Sequence, residues 1–170
     1  MSISVTQFAS TVITNLTHFA GILQVLSIGG GIGLFMSSLF EFKRYGEMRT
    51  FMSHQMTIAR PLSMMLAGVM LLIMPLIIST FMLGFWGSAN PIAYTPTTDS
   101  GWEPLMPVVI DFVRVVGIFA FMRGIFLISR SGGVGAQPGT LSKAILHMFG
   151  GVLCINVVAT EQLLKSILPI

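Results

Sequence analysis

The stretch Phe19–Phe42 reads FAGILQVLSIGGGIGLFMSSLFEF and is followed at once by KRYGEMRTFMSHQMTIAR over Lys43–Arg60. The first part is apolar and long enough to cross a hydrocarbon core, which needs about 20 helical residues. The second part is rich in Lys and Arg, and short loops of that composition stay on the cytoplasmic side of a membrane. An apolar span that ends in a basic loop is therefore the pattern that decides the fold.

Three further apolar segments of membrane-crossing length lie at Pro61–Trp86, Pro107–Ser129 and Ala144–Leu168. The whole chain is 54% hydrophobic and only 9% charged, which is typical of an integral membrane protein. We predict an all-α, polytopic membrane protein with one domain, residues 1–170, of four transmembrane helices. Pro75 lies inside the second span and predicts a kink there.

The distribution of bases predicts the orientation of these spans. Lys43–Arg60 and Arg130–Lys143 hold the basic loops, whereas the connection Gly87–Met106 has no Lys or Arg. The positive-inside rule then places both termini outside the cytoplasm. Residues 1–18 have apolar side chains at helical spacing, so we expect an amphipathic surface helix that turns at Gly21 into the first span; a frayed terminus is the alternative.

Several function classes lack their sequence signals. His18, His54 and His147 have neither a metal-ligand spacing nor a neighbouring nucleophile, so we expect no metal, no catalytic residue and no enzyme. The basic loops lack the interleaved aromatic side chains of a nucleic-acid platform, so we expect no nucleic-acid partner. The glycine-rich run 131–140 lacks the Gly-Lys-Ser/Thr ending of a phosphate loop, and we expect no cofactor.

The same glycine-rich run predicts a tight cytoplasmic turn. Its exposed backbone also suits contact with a partner protein, and the two interpretations stay open. The candidate contact residues are Gly132, Gly133, Gln137, Pro138 and Gly139.

Glycines in the spans predict close helix packing. Gly29 and Gly33 form a small-xxx-small pair in the first span, and Gly150 and Gly151 lie in the fourth. Small residues at such spacings let two helix backbones approach each other. We predict that these four glycines lie at helix contacts.

Four charged residues lie within the predicted third and fourth spans. Asp111 and Arg114 are about one and two turns from the outer end of the third span, and Lys165 and Glu161 lie at matching depths in the fourth. Because an unpaired charge in a membrane is costly, we predict that Arg114 pairs with Glu161 and Asp111 with Lys165. A proton relay through these groups is the alternative.

The motifs Arg123-Gly-Ile-Phe-Leu, Gln137-Pro-Gly-Thr140 and His147-Met-Phe-Gly-Gly-Val-Leu-Cys-Ile-Asn156 carry a family resemblance. The chain resembles the small inner-membrane proteins of type IVB (Dot/Icm) secretion systems, most closely the four-span IcmC/DotE and DotV type. The resemblance implies a multi-pass protein of the bacterial inner (cytoplasmic) membrane. It also implies a structural or channel-lining subunit, present in several copies with other inner-membrane subunits beside a larger polytopic channel protein. The charges in the spans point instead to a small homo-oligomeric secondary transporter or ion channel.

Overall fold

The computed structural model describes residues 4–50, 57–95, 105–133 and 135–168. All the regular structure in these ranges is helical, which confirms the all-α prediction. The six helices in chain order are α1 (Val5–Thr50), α2 (Ala59–Leu72), α3 (Met74–Trp86), α4 (Met106–Ser131), α5 (Thr140–Ile155) and α6 (Val157–Ile167).

These helices are long and apolar enough to make the chain a membrane protein. Helices α1 and α4 each have the length and composition to cross a bilayer alone. The other two candidate spans are the bent pairs α2–α3 and α5–α6, whose axes differ by 78° and 96°. Among the described helices, two are long and apolar enough to cross a membrane, and the number rises to four if each bent pair counts as one span.

Helix α1 is one uninterrupted helix of 46 residues, so the prediction of a separate surface helix over residues 1–18 with a turn at Gly21 is wrong. A single glycine costs a helix about 1 kcal/mol relative to alanine. Contacts of Leu16, Ala20 and Leu23 with the core hold the helix on both sides of that position. These contacts offset the low helix propensity of the glycine.

The break between α2 and α3 confirms the predicted kink at Pro75. The proline lies in the first turn of α3, where its missing N–H removes a hydrogen bond to the carbonyl of Leu71. The N–H of Ile73 instead donates to the carbonyl of Val69 at 3.1 Å and closes the end of α2. The second predicted span is therefore two short helices at a steep angle.

The predicted fourth span, residues 144–168, is not one helix, because the chain bends by 96° at Asn156. Its φ and ψ of −112° and 52° are not helical. The Thr160 hydroxyl donates to the carbonyls of Leu153 at 3.0 Å and Asn156 at 2.9 Å, which satisfies backbone groups at the bend. Helix α5 alone has 16 residues and a length of about 24 Å, less than a hydrocarbon core.

Helix α4 is the centre of the packing and contacts α1, α2 and α5. Phe121 and Ile125 of α4 are fully buried, as is Leu71 of α2. Helix α1 also packs along α2, and α3 contacts α5. The core consequently lies around the C-terminal half of α4, and much of α1 faces outward.

Candidate functional site

Two glycines bring α1 and α2 into backbone contact. A Cβ placed on Gly31 would lie 2.9 Å from the carbonyl oxygen of Gly68, and one on Gly68 would lie 2.8 Å from the nitrogen of Phe35. Real Cβ atoms do not approach backbone atoms this closely. Glycine is therefore required on both sides of the α1–α2 crossing.

A second glycine contact joins α4 and α5. A Cβ on Gly117 would lie 2.7 Å from the carbonyl oxygen of Gly151, and one on Gly151 would lie 2.7 Å from that of Gly117. Gly151 is thus a packing residue, as predicted. Gly150 is not, because a Cβ placed there meets no described atom within 4 Å.

The other two predicted packing glycines, Gly29 and Gly33, do not contact the described residues of this chain. A Cβ on either would meet no atom within 4 Å, and both residues are exposed. The helical rotation of about 100° per residue places Gly31 about 200° from each of them. The intrachain contact uses Gly31, and the Gly29 and Gly33 face points away from the bundle.

A cluster that we call the polar junction links α4, the segment after α3 and the α5–α6 bend. Arg114 donates through Nη1 to Asp111 Oδ1 at 2.8 Å and through Nη2 to the carbonyl oxygen of Ile92 at 2.8 Å. The N–H of Ile92 donates to Oδ1 of Asn156 at 3.1 Å. Both backbone polar groups of Ile92 are therefore bound by polar side chains.

The polar junction is largely removed from solvent. The side chains of Arg114 and Asp111 are 24% and 25% exposed, and Asn156 is fully buried. Within the described ranges, Arg114 Nε and Asn156 Nδ2 are buried donors without a hydrogen-bond partner. Sequence reasoning missed Asn156 and Ile92. The signal for Asn156 was an amide side chain within a membrane-length apolar segment, a position that calls for an internal partner.

The predicted ion pairs between the third and fourth spans are wrong. Arg114 pairs with Asp111 on its own helix at 2.8 Å, and Lys165 pairs with Glu161 on its own helix at 2.6 Å. The depth argument assumed a straight fourth span, but the 96° bend turns α6 away from the direction of α5. Neighbours three or four residues apart on one helix are then the closest opposite charges.

The two ion pairs have different surroundings. Lys165 and Glu161 are 73% and 59% exposed, whereas the α4 pair is about three-quarters buried. The bend at Asn156 also separates His147 of α5 from Glu161 and Lys165 of α6. A continuous relay of charges along a single helix is therefore absent from the described part of the fourth segment.

An open groove lies beside the polar junction. A section of about 190 Å³ has Asp111 and Arg114 in its wall. A larger section of about 530 Å³ extends between α1, α3 and α4 and reaches Pro75 at the other helix break. The residues shared by both sections are Thr17, Ala20, Pro91, Ile118 and Ile155.

The glycine-rich run forms a tight turn between α4 and α5. The N–H of Ala136 donates to the carbonyl of Gly133 at 3.0 Å, and that of Thr140 to the carbonyl of Gln137 at 3.2 Å. Gly139 has a φ of +82°, which favours glycine. Gly132 packs against the backbone of Ala59, so it is used within the chain. The exposed residues of the predicted partner surface are Gln137, Pro138 and Gly139.

Comparison with known proteins adds no relative to this description. No family model, curated protein or solved structure matches the chain. Among the residues that the structure describes, no group of three or more His, Cys, Asp or Glu side chains could hold a metal ion.

Proposed function

We propose that this chain is a structural or channel-lining subunit of a type IVB secretion or conjugation apparatus in a bacterial inner membrane. It would pack beside a larger polytopic channel protein and support protein translocation. The resemblance over 123–156 suggests a type IVB secretion or conjugation apparatus. The length and exposure of α1 support a role in an assembly.

Helix α1 is longer than a bilayer is thick. Its 46 residues extend about 69 Å. Even at a tilt of 40°, the upper end of the usual range, it would cover about 53 Å along the membrane normal, whereas a bilayer with its headgroups measures about 40–45 Å. At least one end of α1 therefore projects beyond the membrane.

The projecting part carries exposed apolar side chains. Glu41, which pairs with Arg60 at 3.3 Å, marks the start of the polar end of α1. Counting back about 20 residues brings the opposite edge of the hydrocarbon near Gly21. Val5 and Phe8, 56% and 55% exposed, then lie beyond the hydrocarbon. Apolar side chains presented in this way on a projecting helix are typical of a surface that another subunit covers.

Affinity purification after gentle solubilisation tests the proposal. The wild-type chain should bring down a larger polytopic membrane protein, and Phe8→Ser should lower the recovery of that protein severalfold. Ser10→Ala is the matched control, because Ser10 is exposed in the same turns and its hydroxyl bonds only to the carbonyl of Gln7. Recovery of the wild-type chain alone, as a homo-oligomer, would contradict a role in an assembly.

The proposed orientation has both termini on the extracytoplasmic side, supported by the basic loop after α1 and the base-free segment after α3. Single cysteines in place of Lys43 and Ser88, in a Cys154→Ser background, test it. An impermeant thiol reagent added from outside should label the position of Ser88 and leave that of Lys43 unlabelled. The reverse pattern would invert the topology.

A small homo-oligomeric transporter or ion channel is the second candidate. The observation that favours it is the groove that joins the helix break at Pro75 to the pair Asp111 and Arg114. Interrupted helices around a polar site are common in secondary transporters. Liposomes that contain only the purified chain discriminate between the candidates, because a transporter gives substrate or ion flux and an assembly subunit gives none.

A further inference from the structure

Arg123 lies on the outward face of α4. This face also carries Phe112, Val116 and Phe119, which are 57%, 45% and 57% exposed. Arg123 is itself exposed, and it precedes the end of α4 at Ser131 by about 12 Å of helix. A guanidinium on the lipid-facing side of a membrane helix is unfavourable unless an anionic group meets it or its stem reaches the headgroups.

Arg123 and Arg130 have no carboxylate partner among the described residues, unlike Arg60 and Arg114. Arg60 pairs with Glu41, and Arg114 pairs with Asp111. Within the described ranges, no carboxylate lies within 4.0 Å of the guanidinium of Arg123 or Arg130. Two positive charges on one face of α4 are thus available to bind an anionic group outside the described residues.

A groove of about 360 Å³ joins these two arginines. They are seven residues apart, which places their backbones about 10.5 Å apart along the axis and nearly on the same side of the helix. The rest of the lining is apolar and comprises Phe119, Met122, Phe126 and Leu127. The groove therefore combines two cationic groups with an apolar wall that lies both between the arginines and on the N-terminal side of Arg123.

We propose that this groove binds an anionic phospholipid of the cytoplasmic leaflet, with a preference for a headgroup that carries two phosphates. Arg130 is one residue from the end of α4, which places it near headgroup level in the proposed orientation, and the long stem of Arg123 allows its guanidinium to snorkel toward that level. Each guanidinium donates paired hydrogen bonds to phosphate oxygens. The aromatic and aliphatic wall receives the acyl chains. Basic pockets on the cytoplasmic side of membrane helices bind such headgroups.

A carboxylate of a neighbouring subunit is the competing occupant. The position of Arg123 among exposed Phe and Val side chains favours lipid, because this face has the composition of a surface in contact with acyl chains. The groove also combines cationic and apolar side chains, as a phospholipid combines a charged headgroup with acyl chains. The inference depends on membrane insertion and on the proposed orientation, and is independent of the proposed secretion role.

Native mass spectrometry of the full chain in detergent, with added cardiolipin or phosphatidylcholine, tests the inference. Wild type should bind cardiolipin at least about tenfold more tightly than phosphatidylcholine. Arg123→Gln and Arg130→Gln should each weaken cardiolipin binding about fivefold, and the double variant about 25-fold. Lys143→Gln is the control, because it removes an exposed positive charge on the same proposed side of the membrane but outside the groove. It should leave the affinity for cardiolipin unchanged.

The charge-retaining double variant Arg123→Lys with Arg130→Lys separates lipid binding from folding. It should keep most of the cardiolipin affinity that the double Gln variant loses. Equal binding of the two lipids by wild type, or equal losses in the Lys and Gln double variants, would overturn the proposal. Loss of a co-purified protein from the double Gln variant without any change in cardiolipin binding would instead identify the groove as a protein contact.

Discussion

Gly68→Ala tests the glycine contact between α1 and α2 through its effect on stability. The new Cβ would lie 2.8 Å from the nitrogen of Phe35 and 3.0 Å from the carbonyl oxygen of Gly31. Both are backbone atoms that cannot rotate away, so α1 and α2 must move apart. Overpacking of this kind costs about 1–3 kcal/mol, and the gain in helix propensity offsets about 1 kcal/mol. We expect a net loss of up to about 2 kcal/mol in the free energy of unfolding.

Gly33→Ala is the matched control for this substitution. A Cβ at that position meets no described atom within 4 Å, so the variant keeps the packing and gains only helix propensity. We expect it to be up to about 1 kcal/mol more stable than wild type. The two alanine substitutions, both in helices of the same bundle, should therefore change stability in opposite directions.

Unfolding of the purified variants in the same detergent, by graded addition of sodium dodecyl sulfate and followed by circular dichroism, measures the difference. The variants should differ by about 1–3 kcal/mol, because the gain in helix propensity is common to both and only the substitution at Gly68 adds the overpacking loss. If Gly68→Ala is as stable as Gly33→Ala, the helices do not cross at Gly31 and Gly68, and the packing described here is refuted.

Three further predictions concern the outward face of α1 and the polar residues. Gly33→Leu should leave unfolding of the isolated chain nearly unchanged and reduce recovery of partner proteins, because the face it alters is free within the chain; unchanged recovery would mean that this face meets lipid. Asp111→Asn should reduce the unfolding free energy by about 3 kcal/mol, the lower end of the range of about 3–5 kcal/mol for breaking a buried pair, whereas Glu161→Gln should reduce it by about 0.3–0.5 kcal/mol. Similar losses would contradict the difference in burial between the two pairs. Asn156→Ala leaves the N–H of Ile92 without its acceptor and should cost about 1–3 kcal/mol in thermal or detergent unfolding, with faster hydrogen exchange at Ile92; unchanged exchange there would mean that Asn156 does not hold this segment.

The apolar segments and the prolines were sufficient to predict the membrane class and one of the two helix breaks. Segments of more than twenty apolar residues have no other stable environment, and the backbone within them must form helices. Pro75 predicted the first break because a proline lacks the backbone N–H and therefore interrupts a helix locally, whatever its tertiary contacts. The second break at Asn156 has no such local cause, and the sequence predicted a continuous helix.

The sequence also identified the charged residues without their partners. It placed Asp111, Arg114, Glu161 and Lys165 by depth along straight helices, and the bend at Asn156 invalidated that comparison. The partners were instead the neighbours on the same helix and the peptide of Ile92, which is 22 residues from Arg114 in sequence. The distance of a residue along a helix follows from counting residues. The direction of the following chain segment depends on where the helix ends.

The sequence by itself therefore determined the membrane environment and the helical class of the fold. Burial of apolar side chains in lipid and the need to satisfy backbone groups act on each segment separately. Only the tertiary structure decided which glycines are contacts and which face outward. Gly29, Gly31 and Gly33 are equivalent by composition, and Gly31 alone meets Gly68 because the rotation of α1 against α2 turns it inward. That rotation is fixed by the packing of both helices on α4, which involves residues far apart in the chain.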